Sequence, residues 1–119
     1  MEYALLIYHD EPAWAALSDE EREEVYAGFV ALRRELQARG AWRGGGRLHP
    51  SDTATSVRVR DGAALVTDGP FAETKEQLGG YLVVEAETVD EALEWAARVP
   101  TARWGTVEVR PLATTEVRT

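Results

Sequence analysis

The chain has 119 residues, of which 45% are apolar and 29% charged, a size and composition that predict one globular domain with one hydrophobic core. Thirteen lysines and arginines against 21 aspartates and glutamates give a formal charge of −8, which argues against nucleic-acid and anionic-membrane partners. The lack of cysteine excludes disulfides and thiolate sites, and the lack of an apolar run of signal-peptide or membrane length leads us to expect a cytoplasmic protein.

The first part of the chain predicts a strand and then a long helix. Residues 3–8, YALLIY, are an unbroken apolar run of strand length. Ser18 and Glu21 form a capping box, which predicts a helix over residues 19–39 with Gly40 placed to end it. The helix should bury the apolar stripe Val25, Phe29, Leu32 and Leu36.

A glycine-rich strand and a hairpin follow. Residues 41–50, AWRGGGRLHP, predict a short strand with a bulge at its glycines, and GGGR is not a phosphate loop because no Gly-Lys-Ser/Thr sequence follows it. The Asp-Gly pair within residues 53–67 is the signal of a two-residue type I′ turn. Pairing Arg60 with Ala63 places the valines of both strands on one face. We therefore predict a β-hairpin.

The last part of the chain predicts a strand, a helix and a strand. Residues 80–87, GYLVVEAE, form an apolar strand, and Thr88 with Glu91 forms a second capping box. The helix that follows should end at Pro100. We expect it to bury Val89, Leu93, Ala96 and Ala97. Residues 106–112, TVEVRPL, alternate apolar and charged side chains, as a half-buried strand does.

These elements predict an α+β fold. With the hairpin treated as an insertion, their order is β-α-β-β-α-β, the ferredoxin-like arrangement. Two helices cover one face of such a sheet, so the other face would expose a large apolar patch in a monomer. We therefore expect a homodimer in which a second copy of the chain covers that face.

Four segments resemble one known family. VTDGPFAETKEQLGGYLVVEA, residues 66–86, closely resembles the signature of the YCII-related family, in the subgroup named for its Asp-Gly-Pro-Phe (DGPF) motif. YALLIYHDEPAW, LHPSDTATSVRVRDG and VDEALEWAARVP with VEVRP are similar to the same family, so the resemblance covers nearly the whole chain. It implies a dimeric α/β barrel of ferredoxin-like subunits. It also implies, for some relatives, acid–base lyase chemistry on small cyclic or aromatic molecules, and for this subgroup a link to sigma-factor genes.

The histidines differ from those of the better-studied relatives, which pair a histidine on the first helix with an aspartate. The helix predicted over residues 19–39 has no histidine, so those catalytic roles cannot be transferred to this chain. His9 and His49 are its two histidines. An imidazole is the usual group for proton transfer near neutral pH, and His9 is a candidate ligand-binding residue.

The charged loop after the hairpin is the candidate catalytic site. Its predicted catalytic residues are Asp68, Glu73, Lys75 and Glu76. Their neighbouring charges would let one carboxylate act as a general base, and Asp68 ranks first because a proline fixes its turn. The alternative is a structural connector, in which Thr74 and Gln77 cap a single helical turn and Phe71 anchors the loop in the core.

The predicted ligand-binding residues are Phe71, Arg58, Arg110 and His9. Arg58 and Arg110 point away from apolar strand faces and are either solvated charges or an anion-binding pair in the dimer cleft. The segments His9-Asp10-Glu11 and His49-x-x-Asp52 contain metal-ligand residue types. No third histidine completes a site, so we expect no metal and no cofactor.

Two functions fit this pattern. The first is a dimeric small-molecule protein, a lyase or isomerase with its pocket between the sheet and residues 68–76. The second is a non-catalytic sensor or protein-interaction module linked to sigma-factor regulation. The residues favour the second because no acid–base pair is unambiguous, whereas the family resemblance favours the first.

Overall fold

The computed structural model describes residues 1–113 of the chain, and within that range it has six strands and three α-helices. In chain order these are β1 (Glu2–His9), α1 (Glu11–Ala15), α2 (Asp19–Ala38), β2 (Trp42–Arg47), β3 (Thr55–Arg60), β4 (Ala63–Asp68), β5 (Gln77–Glu85), α3 (Val89–Ala97) and β6 (Thr106–Pro111). A one-turn 3-10 helix, Ser51–Thr53, lies between β2 and β3. No helix of the described part is long and apolar enough to cross a membrane.

The strands form two sheets. The larger is four-stranded with the order β2-β5-β1-β6, and every neighbouring pair in it is antiparallel. The smaller is the two-stranded hairpin of β3 and β4. With the hairpin set aside, each βαβ unit leaves room for one antiparallel strand between its two strands, which is the ferredoxin-like topology. The predicted α+β fold is confirmed.

The core lies between one face of the larger sheet and the helices α2 and α3. Alternate residues of β1 are buried there, and their cross-strand partners in β5 face the same way, as in the pair Leu5 and Leu82. Leu5, Leu36 and Val84 are completely buried. The stripe predicted for α2 is confirmed, with Val25, Leu32 and Leu36 buried and Phe29 packed against the core cluster.

Local capping defines where the two long helices begin. The Ser18 hydroxyl accepts a hydrogen bond from the Glu21 N–H at 3.1 Å, and the Glu21 carboxylate accepts one from the Ser18 N–H at 2.8 Å. These bonds hold the pKa of Glu21 below its ordinary value. At α3 the Thr88 hydroxyl accepts from the Glu91 N–H at 3.2 Å. Both predicted helix starts are confirmed.

The buried face of α3 differs from the prediction. Ala96 is buried as predicted, but Val89, Leu93 and Ala97 are exposed. Ala92 and Trp95 are buried in their place. The pair Val89 and Leu93 and the pair Ala92 and Ala96 have the same four-residue spacing, so periodicity could not show which pair is buried. The small alanines allow the helix to approach the sheet closely, and the indole of Trp95 fills the space beside them.

The predicted hairpin is confirmed in its turn and its register. Asp61 and Gly62 have φ values of 52° and 78°, as a type I′ turn requires, and Arg60 pairs with Ala63. The hairpin lies outside the four-stranded sheet, and its valines are more than 60% exposed. The radius of gyration is 16.2 Å, against about 13.5 Å for a compact chain of this length. A single copy is therefore extended.

The loop after the hairpin has no helical turn, so that prediction was wrong. Gln77 begins β5 instead, because it pairs with His9 at the end of β1. Its side-chain amide donates to the Thr74 carbonyl at 2.7 Å and accepts from the Glu11 N–H at 3.0 Å. Phe71 is 79% exposed and does not anchor the loop in the core.

Candidate functional site

An open cleft of about 990 Å³ lies on the helix side of the sheet, between α2 and the edge formed by β2 and β5. Its apolar lining includes Ile7, Pro12, Trp14, Tyr26, Phe29, Val30, Trp42 and Leu48. Its polar lining is His9, Glu11, Arg33, Arg47, His49, Asp52 and Thr101. Apolar walls with a few convergent polar groups are typical of small-molecule sites. A smaller cleft of about 540 Å³ lies between α2 and the turn after α3.

His9 is held in place by a glycine and a tryptophan. It is the last residue of β1, and its ring lies directly against the backbone of Gly79 in β5. A Cβ at position 79 would lie 2.2 Å from Cε1 of the His9 ring, so any other residue there must displace the imidazole. The ring of Trp14 lies on another side, with its centroid 5.8 Å away.

An aromatic row leads from His9 to the other end of the cleft. Trp14 lies edge-on to Tyr26 with 5.6 Å between ring centroids, and the Arg47 guanidinium lies over the Tyr26 ring at 4.3 Å. Trp14, Tyr26 and Arg47 come from α1, α2 and β2. This row lines the wall of the cleft with an imidazole at one end and a guanidinium at the other.

Glu11 links two structural elements at one end of the cleft. Its carboxylate accepts hydrogen bonds from the Ser51 N–H at 2.7 Å and the Ser51 hydroxyl at 2.6 Å, which ties α1 to the 3-10 helix. The Glu11 N–H donates to Gln77. Because both carboxylate oxygens are used in this link, Glu11 is a structural residue of the cleft rather than a free base.

Thr101 carries an unsatisfied buried hydroxyl beside the cleft. The residue is 4% exposed, and its Oγ1 has no hydrogen-bond partner among residues 1–113. A buried polar group without a partner costs about 1–3 kcal/mol, so native proteins rarely keep one without a reason. Thr101 is one of the residues that line the cleft, and its Oγ1 is itself buried.

The predicted catalytic residues lie elsewhere. Asp68 ends β4 and is exposed, and its carboxylate makes no hydrogen bond within the described residues. Glu73 and Lys75 are exposed in the following loop. The Glu76 carboxylate accepts a hydrogen bond from the Thr106 hydroxyl of β6 at 2.9 Å. Within one copy these residues form no ion pair with one another and line neither cleft.

The predicted ligand-binding residues are not brought together either. Arg58 belongs to the hairpin, whereas Arg110 lies on β6 and pairs with Glu108 at 2.9 Å. Phe71 is in the exposed loop, and His9 alone of this set lines the large cleft. Among residues 1–113, no three histidine, aspartate or glutamate side chains gather as metal ligands do.

Sequence reasoning missed most of the cleft, although one signal pointed to it. Gly79 and Gly80 interrupt a strand, and a glycine inside a strand often marks a close approach of another group. In this chain the group is the His9 ring. No short-range pattern could have indicated Thr101, because its significance is a missing hydrogen-bond partner in the folded protein.

Comparison with known proteins agrees with this architecture. Residues 1–116 match the sequence profile of the YCII-related domain. An uncharacterized protein from Rhizobium meliloti is 42% identical over 115 residues, which cover 95% of this chain and 93% of that protein. The structure of 5-chloro-2-hydroxyhydroquinone dehydrochlorinase (TftG) from Burkholderia phenoliruptrix, in complex with 2,5-dihydroxybenzoquinone, matches with a TM-score of 0.57 and 19% identity. The match covers 98% of this chain and 97% of that one. At this identity it shows a common fold.

Proposed function

Since the chain belongs to the YCII-related family, we propose that it binds a small planar cyclic molecule in the His9 cleft and acts on it by acid–base chemistry, as a lyase or isomerase. The observation that carries this proposal is the position of His9, which Gly79 and Trp14 hold at the wall of the cleft. An imidazole is the usual side chain for proton transfer near neutral pH.

The shape of the cleft supports a planar ligand. The row of Trp14 and Tyr26 presents ring faces and edges on which a flat ring can stack. The structural neighbour TftG is named as a dehydrochlorinase and was captured with 2,5-dihydroxybenzoquinone, a planar six-membered ring. We assign His9 to proton transfer and the Thr101 hydroxyl to a hydrogen bond with an oxygen of the ligand. We also place the chain in the DGPF subgroup on the motif at residues 68–71.

Replacing Thr101 with valine should move stability and binding in opposite directions. The change removes a buried hydroxyl that lacks a partner, so we expect the free protein to gain about 1 kcal/mol of stability. The same change should weaken the binding of 2,5-dihydroxybenzoquinone by about tenfold, because the ligand loses one hydrogen bond. Chemical denaturation measures the first effect, and isothermal titration calorimetry measures the second.

Thr106→Val is the matched control, since the Thr106 hydroxyl bonds to Glu76 outside the cleft. It should lower stability slightly and leave binding unchanged. Loss of stability in Thr101→Val without any change in ligand affinity would show that the Thr101 hydroxyl serves the fold, and it would remove this residue from the proposed site.

We also propose that two copies pair through the uncovered face of the larger sheet, as a dimeric α/β barrel. That face carries Leu6 and Val83 in the central strands, opposite in orientation to the buried Leu5 and Leu82. The exposed valines of the hairpin add apolar surface that a single copy leaves in contact with water. A face of this kind fits the twofold pairing common among soluble proteins.

Sedimentation of the protein at micromolar concentration should give twice the mass of the chain. Val83→Glu should shift the protein toward monomer, because it places a charge at the centre of the proposed interface. Leu93→Glu is the control, since Leu93 is about half exposed on α3, on the other side of the sheet. A wild-type protein that sediments as a monomer would contradict the proposed pairing.

A further inference from the structure

Two arginines of the cleft have no acidic partner. Within residues 1–113, neither Arg33 nor Arg47 forms an ion pair or donates a side-chain hydrogen bond. Other arginines of this acidic chain do pair with carboxylates, namely Arg22, Arg39, Arg43, Arg98 and Arg110. Arg34, Arg58, Arg60 and Arg103 also form no ion pair within residues 1–113, so Arg33 and Arg47 are distinguished by their place at the wall of this cleft.

Each of the two guanidinium groups lies over an aromatic ring. Arg47 lies over the Tyr26 ring at 4.3 Å, and Arg33 lies over the Trp42 ring at 4.7 Å. Stacking uses the flat face of a guanidinium, whereas its N–H donors lie in the plane of the group. The N–H donors of both groups make no hydrogen bond within residues 1–113, and a guanidinium can bind a carboxylate through two parallel hydrogen bonds.

Neither carboxylate that lines the cleft pairs with Arg33 or Arg47. Both oxygens of Glu11 accept hydrogen bonds from Ser51. Asp52 is exposed on the 3-10 helix and forms no ion pair with either arginine. The guanidinium groups can therefore bind an external anion without first breaking an ion pair or hydrogen bond within residues 1–113.

Arg47 is the better placed of the two. The steps from His9 to Trp14, from Trp14 to Tyr26 and from Tyr26 to Arg47 measure 5.8, 5.6 and 4.3 Å. Arg33 is seven residues after Tyr26 on α2, which places it about 10 Å further along the helix axis. A planar molecule lying along the aromatic row would thus have its charged group at Arg47 and its reacting ring near His9.

We infer that the ligand of the cleft is a planar cyclic carboxylate, with its carboxylate group bound by Arg47 and its ring against Trp14 and Tyr26. This inference rests on the proposed function and names the substrate class for that site. Arg47 would bind and orient the substrate, while His9 would transfer the proton.

Paired ligands of equal shape test the inference. Benzoate and benzamide differ in charge but hardly in size, and titration calorimetry should show tighter binding of benzoate to the wild-type protein. Arg47→Gln should weaken the binding of benzoate by about 10- to 100-fold, since hydrogen bonds to charged groups are among the stronger ones. It should leave the binding of benzamide unchanged, and that neutral ligand also reports whether the variant keeps a folded cleft.

Arg34→Gln is the matched control, because Arg34 is exposed on α2 next to Arg33 and does not line the cleft. It should leave both affinities unchanged. Equal binding of benzoate and benzamide, or benzoate binding that survives Arg47→Gln, would overturn the inference and leave the proposed function intact. If benzoate, benzamide and 2,5-dihydroxybenzoquinone all fail to bind, both the inference and the proposed function are wrong.

Discussion

Replacing His9 with glutamine is expected to lower the turnover of a small cyclic substrate by about 10²- to 10⁴-fold, which is the usual contribution of a general acid or base. Glutamine retains hydrogen-bonding groups but cannot exchange a proton near neutral pH. Chloride release from 5-chloro-2-hydroxyhydroquinone is a suitable first assay, because the structural neighbour is named for that reaction. Ligand affinity should change much less than turnover, since Trp14 and Tyr26 remain in place.

Gly79→Ala should reproduce most of this loss without touching the imidazole itself. A Cβ at position 79 would lie 2.2 Å from Cε1 of His9, so the ring must move away from its place in the cleft. Gly46→Ala is the matched control, because it lines the same cleft and its Cβ would make only ordinary contact, 3.5 Å from the Tyr81 ring. NMR signals of the His9 ring should shift in the first variant and stay in the second.

Asp68→Asn in the same assay tests whether the catalytic residues lie in the cleft or in the loop of residues 68–76. The catalytic role of Asp68, with Glu73, Lys75 and Glu76, stays a prediction, and the cleft proposal expects this variant to keep most of its turnover. A full rate in His9→Gln together with loss of activity in Asp68→Asn would place the chemistry in the loop instead. Binding of ligands without any turnover by the wild-type protein would favour a non-catalytic sensor.

Replacing Leu36 with alanine is expected to lower the free energy of unfolding by about 2–5 kcal/mol. Leu36 lies on α2, and no part of it is exposed. Removing its side chain leaves a cavity in the core cluster that includes Leu5 and Val84, and a well-packed core fills such a space only partly. Chemical denaturation monitored by tryptophan fluorescence measures the loss.

Leu93→Ala is the control for this prediction, because it deletes the same atoms at a position on α3 that is 48% exposed. Its cost should stay below about 1 kcal/mol. Equal losses of stability in the two variants would contradict the observed orientation of α3. They would support the buried face predicted from the sequence, which includes Val89 and Leu93.

The secondary structure was predictable wherever neighbours in the chain determine it. The Ser18 capping box depends on two residues three positions apart, and both of its hydrogen bonds form. The turn at Asp61 and Gly62 depends on which residues tolerate positive φ. By contrast, the Thr74–Gln77 pattern predicted a helical turn, but pairing of Gln77 with β1 overrides that local preference. Long-range strand pairing is invisible in a short window of sequence.

The candidate site shows the same division. The sequence by itself determined the fold class and named His9 as one ligand-binding candidate, because imidazole chemistry belongs to the residue type whatever surrounds it. It placed the catalytic residues in the loop of residues 68–76 instead. Only the tertiary structure decided that His9 would meet Trp14, Tyr26 and Arg47, which come from three separate elements. The unpaired hydroxyl of Thr101 likewise exists only after folding, since a donor lacks a partner only when its surroundings are in place and water is excluded.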